Sequence, residues 1–240
     1  MSAAEQPMSQ DAFIARLTLE QVTRAQYRLD ETVPILDEFK TRHDQVVGAP
    51  GQAVIDLSRL LQLAANRIVV VEVNFDQLVE AHAGVDVRIF ATEEEFVEAP
   101  DYIRRYLGGD EQAVPILKLH GTIDRPETCI INSGQTELGL GQSKLDSLRA
   151  LLSPNNPRLW IYVGASLRDF DLRPVLLGED FARGLNELWV SPYLDASVEE
   201  FAIQRSASWR QTSWPNVDDR LVAEAADPFF TAWRESVEAL

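Results

Sequence analysis

The sequence predicts an α/β fold built on an open, doubly wound, mostly parallel sheet, with a helical segment before it and a helical cap after it. Three observations carry this. Short β-branched runs at 67–73, 86–90, 114–119, 158–163 and 187–190 alternate with helical stretches such as 145–152 and 172–183. The runs are apolar almost throughout instead of alternating, as expected for strands covered on both faces. Helices between such strands imply parallel crossovers.

The first third reads as helix. Phe13, Leu17, Val22 and Tyr27 recur among charged residues over 10–30, and Ile55, Leu57, Leu60, Leu61 and Leu63 pattern a later helix. Pro34, and then Gly48, Ala49, Pro50 and Gly51, break this region into pieces, the glycine-containing set being an interhelical turn. The acidic run 93–95 reads as a solvated helical face. Beyond Pro192, Trp209, Trp214, Phe229, Phe230 and Trp233 are spread through a C-terminal region whose last helix, 227–240, has an apolar face at Phe230, Trp233 and Val237. Core packing of an end-cap is the plainer reading of these aromatics; a face that docks on a partner domain or a second subunit in a homo-oligomer is the other. The division is therefore 1–66 for an N-terminal helical segment, 67–192 for the sheet-bearing core and 193–240 for the cap.

Composition narrows the function classes. The 240 residues include 22 Lys+Arg and 38 Asp+Glu, for a formal charge of −16. With 45% hydrophobic and 25% charged residues the chain has the make-up of a folding domain and not of a disordered one. Binding a phosphate backbone needs clustered Lys and Arg, which are lacking, so no nucleic-acid partner is expected, nor an anionic membrane surface. A single phosphorylated ligand remains compatible, because helix N-termini and backbone N–H groups hold phosphates locally. Cys129 is the lone cysteine, which rules out an intrachain disulfide and a four-thiolate zinc site. No signal-peptide core and no run near the ~20 apolar residues of a membrane helix is present, so a cytoplasmic protein is expected.

In open parallel sheets ligands bind beyond the carboxyl ends of the strands, which makes the residues directly after each run informative. Asn74 and Asp76 follow the first run, where an amide can orient a hydroxyl or a water and a carboxylate can fix that geometry. The plainer alternative is that they cap the next helix, 76–83. His120 ends the run at 114–119, and Gly121 beside it permits close backbone approach. Imidazole is the side chain that titrates near neutral pH, and hence a natural general base; a structural hydrogen bond is the competing role. After Val163 come Gly164, Ala165 and Ser166, then Asp169 and Asp171: a small-residue turn able to bring N–H groups and a hydroxyl to a phosphate or ribose, or merely a turn and a cap.

The three elements in order, VEVNFDQLVE at 71–80, PILKLHGTID at 115–124 and YVGASLRDFDLR at 162–173, resemble the sirtuin-like domain of bacterial antiviral defence proteins. The resemblance spans 68–177. It implies a Rossmann-like fold that takes NAD as a substrate and hydrolyses its nicotinamide–ribose bond, giving nicotinamide and ADP-ribose without a metal. It further implies that Asn74 positions the ribose and the attacking water, that Asp76 supports the nicotinamide end, that His120 is the base, and that Gly164, Ser166 and Asp171 hold the rest of the dinucleotide. Two departures stand out. Glu72 and Val73 occupy the place of two threonines, and no glycine-alanine-glycine turn, the family's pyrophosphate cradle, precedes Asn74. A non-catalytic module of the same fold, sensing a nucleotide or binding a protein, is the alternative these departures favour.

Overall fold

A computed structural model describes residues 34–131, 135, 137–152, 159–165, 171–178, 186–192, 200–203 and 221–239. The expected helix at 10–30, Ser166, Asp169, Trp209 and Trp214 lie outside the described residues. The chain is mixed α/β and its described strands pair in parallel.

Two helices open the described chain, α1 (Pro34–Val46) and α2 (Gln52–Leu63). Proline suits a first helical position, where its missing N–H costs nothing, and the glycine-containing stretch 48–51 joins the two helices as read from the sequence. Then follow β1 (Val70–Glu72), α3 (Leu78–His82), β2 (Val87–Phe90), α4 (Glu93–Gly108) and β3 (Val114–Lys118). These strands form a sheet in the order β1–β3–β2, with Glu72 opposite Lys118 and Phe90 opposite Leu117. After α5 (Gln142–Leu151), β4 (Leu159–Val163), α6 (Leu172–Leu177), β5 (Asn186–Val190) and β6 (Leu221–Val222), α7 (Ala226–Glu238) ends the described chain. The later strands make a second parallel sheet, β4–β5–β6.

Among the described residues the strands form two three-stranded sheets, and no ladder joins them into the one continuous sheet that the sequence predicts. Apolar runs specify burial, but which strand neighbours which depends on backbone pairing that the pattern does not encode. One apolar core nevertheless joins the sheets: Phe90, Leu117 and Leu119 share a cluster with Tyr162 and Trp189, and Phe96, Ile103, Leu148 and Phe201 close it. Tyr162 and Trp189 stack with ring centroids 5.1 Å apart. β3 is the central strand of its sheet and all five of its residues are buried.

Helix α4 shows why the acidic run at its start is more than a solvated face. Thr92 and Glu95 form a reciprocal capping box. Glu95 Oε2 accepts from Ala91 N at 2.8 Å and Thr92 N at 3.0 Å, and the same carboxylate pairs with Arg125 at 2.8 Å. Burial would raise the Glu95 carboxyl, but these backbone N–H groups and Arg125 hold it below its usual range. Only Glu93 and Glu94 of the run are exposed.

The C-terminal helix returns onto the N-terminal one. Asp56 of α2, buried, accepts from Arg234 Nε at 2.7 Å and Thr231 Oγ1 at 2.5 Å. Asp227 Oδ1 accepts from Ala53 N at 2.7 Å and so satisfies an open amide at the start of α2, where Gly51 has no side chain to do so. Phe230 is buried and stacks with Trp233 at 6.1 Å, in keeping with the end-cap reading of this face.

Leu117 is fully buried in the core shared by the two sheets. Leu117→Ala should lower the free energy of unfolding by about 2–5 kcal/mol, read from urea denaturation, since a methyl-lined void in a packed core cannot fully collapse.

Candidate functional site

Parallel pairing sets the site. With Glu72 opposite Lys118, Asn74 and His120 each follow two residues after the paired ends of adjacent strands, at the carboxyl edge of the sheet. Leu119 N donates to Glu72 O at 2.9 Å as the last bond of the ladder; a turn closed by Gly121 N to Lys118 O then shifts the register by one residue, so that Ile123 N donates to Phe75 O at 2.8 Å.

His120 is buried, and its Nε2 lies 3.1 Å from Asp171 Oδ2 and 3.3 Å from Oδ1. Asp171, also buried, directly precedes α6. A carboxylate facing Nε2 places the neutral ring's proton on that nitrogen and leaves the lone pair on Nδ1, which bonds to no other described residue. This contact brings the second and third sequence elements together across 51 residues of chain. Asp171 was expected to hold the cofactor; the structure makes it the partner that orients His120.

The loop after His120 is built to hold the ring. Ile130 N donates to His120 O at 2.8 Å, Thr122 N to Thr128 Oγ1 at 3.1 Å, and Thr128 Oγ1 to Arg125 O at 2.7 Å. Gly121 has φ +89°, and a Cβ there would collide with the Thr128 backbone carbonyl, so the close approach expected from the sequence is to this loop's own chain. Lys144 of α5 braces the other side: its buried ammonium donates to Leu119 O at 2.8 Å and lies 5.5 Å from the Phe96 ring centroid. Burial pulls the Lys144 ammonium below its ordinary range, with Glu93 and Asp171 opposing. Cys129, in the same loop, donates to Thr122 O at 3.4 Å, and burial pushes its thiol up to about 11, so it stays a thiol at neutral pH.

The remaining candidates fare unequally. Asn74 is exposed and makes no hydrogen bond among the described residues, so its amide is available to a ligand. Asp76 Oδ1 accepts from Leu78 N at 3.1 Å, a local turn bond to the first residue of α3, whose N-cap position is Gln77 and not Asp76 as the capping alternative had it. Gly164 has φ +64° with open space at its α-carbon, but its N–H donates to Val190 O at 3.0 Å and is not free for a phosphate. Among the described residues no group of three or more His, Cys, Asp or Glu could hold a metal ion, and no helix is long and apolar enough to cross a membrane. An open cleft of about 500 Å³ between α4 and α5, lined by Glu93, Phe96, Val97, Gln142 and Asp146 among others, contains none of these candidates.

Sequence reasoning left one cluster without a role. Lys118 is completely buried, and its Nζ lies 2.5 Å from Glu72 Oε2 and 3.2 Å from Glu80 Oε1 and donates to the Asp76 carbonyl. The Glu80 contact is an ion pair without hydrogen-bond geometry, so both of its buried oxygens lack a hydrogen bond. Burial pushes the Glu72 carboxyl up to about 7 against the pull of Lys118, with Glu80 and Asp76 adding to the rise. Burial opposes the Lys118 charge, yet Glu72 and Glu80 hold its ammonium above the ordinary range. The signal was a lysine in an apolar run, which a strand covered on both faces tolerates only with buried counter-charges.

Comparison of the chain with protein-family models, with curated proteins and with solved structures gives no match in any of the three.

Gly121→Ala should destabilise the fold by about 2–4 kcal/mol, because the positive φ and the collision with Thr128 act together; chemical denaturation measures it. A second outcome concerns pH. Unfolded Glu72 ionises at its ordinary value of 4.5, so from there to about 7 the folded state holds a proton that the unfolded one lacks, and stability falls as pH rises. Glu72→Gln removes this dependence: its stability relative to wild type should grow by about 1–3 kcal/mol between pH 5 and 8 in parallel urea titrations.

Proposed function

We propose that this chain is a sirtuin-like domain with a Rossmann-like fold that hydrolyses NAD to nicotinamide and ADP-ribose, in the setting of bacterial antiviral defence. The observation that carries the reading is the buried His120–Asp171 pair, directly after β3, with the turn after the adjacent β1 carrying Asn74, whose amide makes no hydrogen bond among the described residues.

The chemistry required of these residues is modest. Water adds its hydroxyl to the ribose carbon, the glycosidic C–N bond breaks, and nicotinamide leaves with the bonding electron pair. Positive charge builds on the ribose as the bond stretches, so the barrier falls if water is held and its proton has somewhere to go. Nδ1 of His120 would take that proton, Asp171 keeping the ring in the required tautomer and stabilising the imidazolium that forms. The Asn74 amide would orient the ribose and the water. The positive-φ turn at Gly164 and the space beside it would admit the remainder of the dinucleotide without contributing its N–H.

A nucleotide-sensing or protein-binding module without catalysis is the second reading, and a specific observation favours it. The glycines that precede Asn74 in the described chain lie in the turn between α1 and α2, so no glycine-rich cradle follows a strand ahead of β1. Loss of several charge-assisted backbone bonds to a pyrophosphate, each worth about 1.5–3 kcal/mol, would weaken binding by orders of magnitude.

Purified chain incubated with NAD should release nicotinamide. His120→Ala should lower kcat by roughly 10²–10⁴, and Asp171→Asn by a smaller factor, as expected for a base and its orienting partner. Turnover no higher than that of His120→Ala overturns catalysis; calorimetric binding of NAD or ADP-ribose without turnover supports the sensor.

A further inference from the structure

At the end of β3 two carboxylates share one ammonium, and the chain between those carboxylates is the turn that carries Asn74. Glu72 enters the turn and Glu80 lies in α3 beyond it. Among the described residues the polar partners of Lys118 Nζ, namely the Glu72 and Glu80 carboxylates and the Asp76 carbonyl, all belong to this one segment, while Lys118 itself comes from the neighbouring strand. Its side chain is wholly buried, so it meets no substrate directly. We infer that Lys118 is a positioning residue: its ammonium straps the 72–80 segment to β3 and thereby fixes the turn that carries Asn74 against the strand that leads into His120.

The charge count gives the strap a pH dependence. With both glutamates ionised the buried trio of Lys118, Glu72 and Glu80 carries one uncompensated negative charge, to which the half-buried Asp76 of the turn adds; these are the groups that face Glu72, Lys118 from β3, Glu80 from α3 and Asp76 from the turn. While one glutamate holds a proton the trio is neutral and the turn stays closed. When that proton leaves, the excess charge is relieved by opening the turn to water, since burying a lone charge is far more costly than hydrating it. The position of Glu72, pushed up to about 7 chiefly by burial, agrees with this count. That the turn matters for catalysis rests on the function proposed above; the strap itself does not.

Hydrogen exchange on the full chain at pH 6 and pH 8, corrected for intrinsic rates, tests the strap without assuming any activity. In wild type the amides of 73–78 should lose about tenfold in protection at pH 8, whereas Glu72→Gln should show equal protection at both values. Lys118→Met alone would leave two buried carboxylates unpaired and endanger folding. The neutral triple variant Glu72→Gln/Glu80→Gln/Lys118→Met avoids this, and should lose about tenfold or more at 73–78 at both pH values while 114–118 stay protected. Nicotinamide release by the same proteins should follow the protection of the turn, kcat falling more than KM changes. Should wild type release no nicotinamide at either pH, the NAD reading fails and exchange alone decides on the strap. Wild-type exchange at 73–78 in the triple variant, or an unchanged pH dependence in Glu72→Gln, overturns the inference.

Discussion

A charged lysine at the end of the fully buried central strand is the constraint around which the first sheet is arranged. An ammonium removed from water on every side persists only with counter-charges and hydrogen-bond acceptors around it. Glu72, Glu80 and the Asp76 carbonyl supply them, and all three lie on the segment that leaves β1 and enters α3. The demand of one buried charge thus dictates the course of nine residues on a neighbouring strand and helix. Replacing such a cluster with apolar side chains need not destabilise a protein, so its value here lies in specifying one conformation of the turn.

A second buried polar contact does comparable work between the sheets. His120 follows β3 and Asp171 precedes α6, after β4, so their bond links the carboxyl edges of two sheets that share a core but no ladder. Around it the supports come from elsewhere: Ile130 N and Lys144 Nζ hold the carbonyls of His120 and Leu119, and Thr128 packs against Gly121 too closely for any other residue. Parallel strands make this convergence natural, because every crossover returns the chain so that successive strands end on the same side. The edge is well bonded around His120, whereas Asn74 is exposed and makes no hydrogen bond among the described residues.

Much of the fold was legible in the sequence. Apolar β-branched runs marked all five of the longer strands, since a segment buried on both faces has little choice of composition; β6, two residues long, left no such trace. The helices α2, α5 and α7 followed from spacing at three and four residues. Glu95 was misread as a solvated residue because its fate depends on Arg125, 30 residues away, which the local pattern of charges does not reveal. Likewise, Gly164 was credited with a free N–H that pairing with β5 in fact occupies.

By itself, then, the sequence determined the class of the fold, the burial of the strands and the placement of Asn74, His120 and Gly164 at strand ends, because hydrophobic period and turn chemistry are local properties of the chain. Only the tertiary structure decided that Asp171 orients His120 and that Lys118 draws the Asn74 turn against β3. Hydrogen bonds and ion pairs act over about 3 Å in space, and residues 42 to 51 positions apart come within that reach only once the backbone has paired.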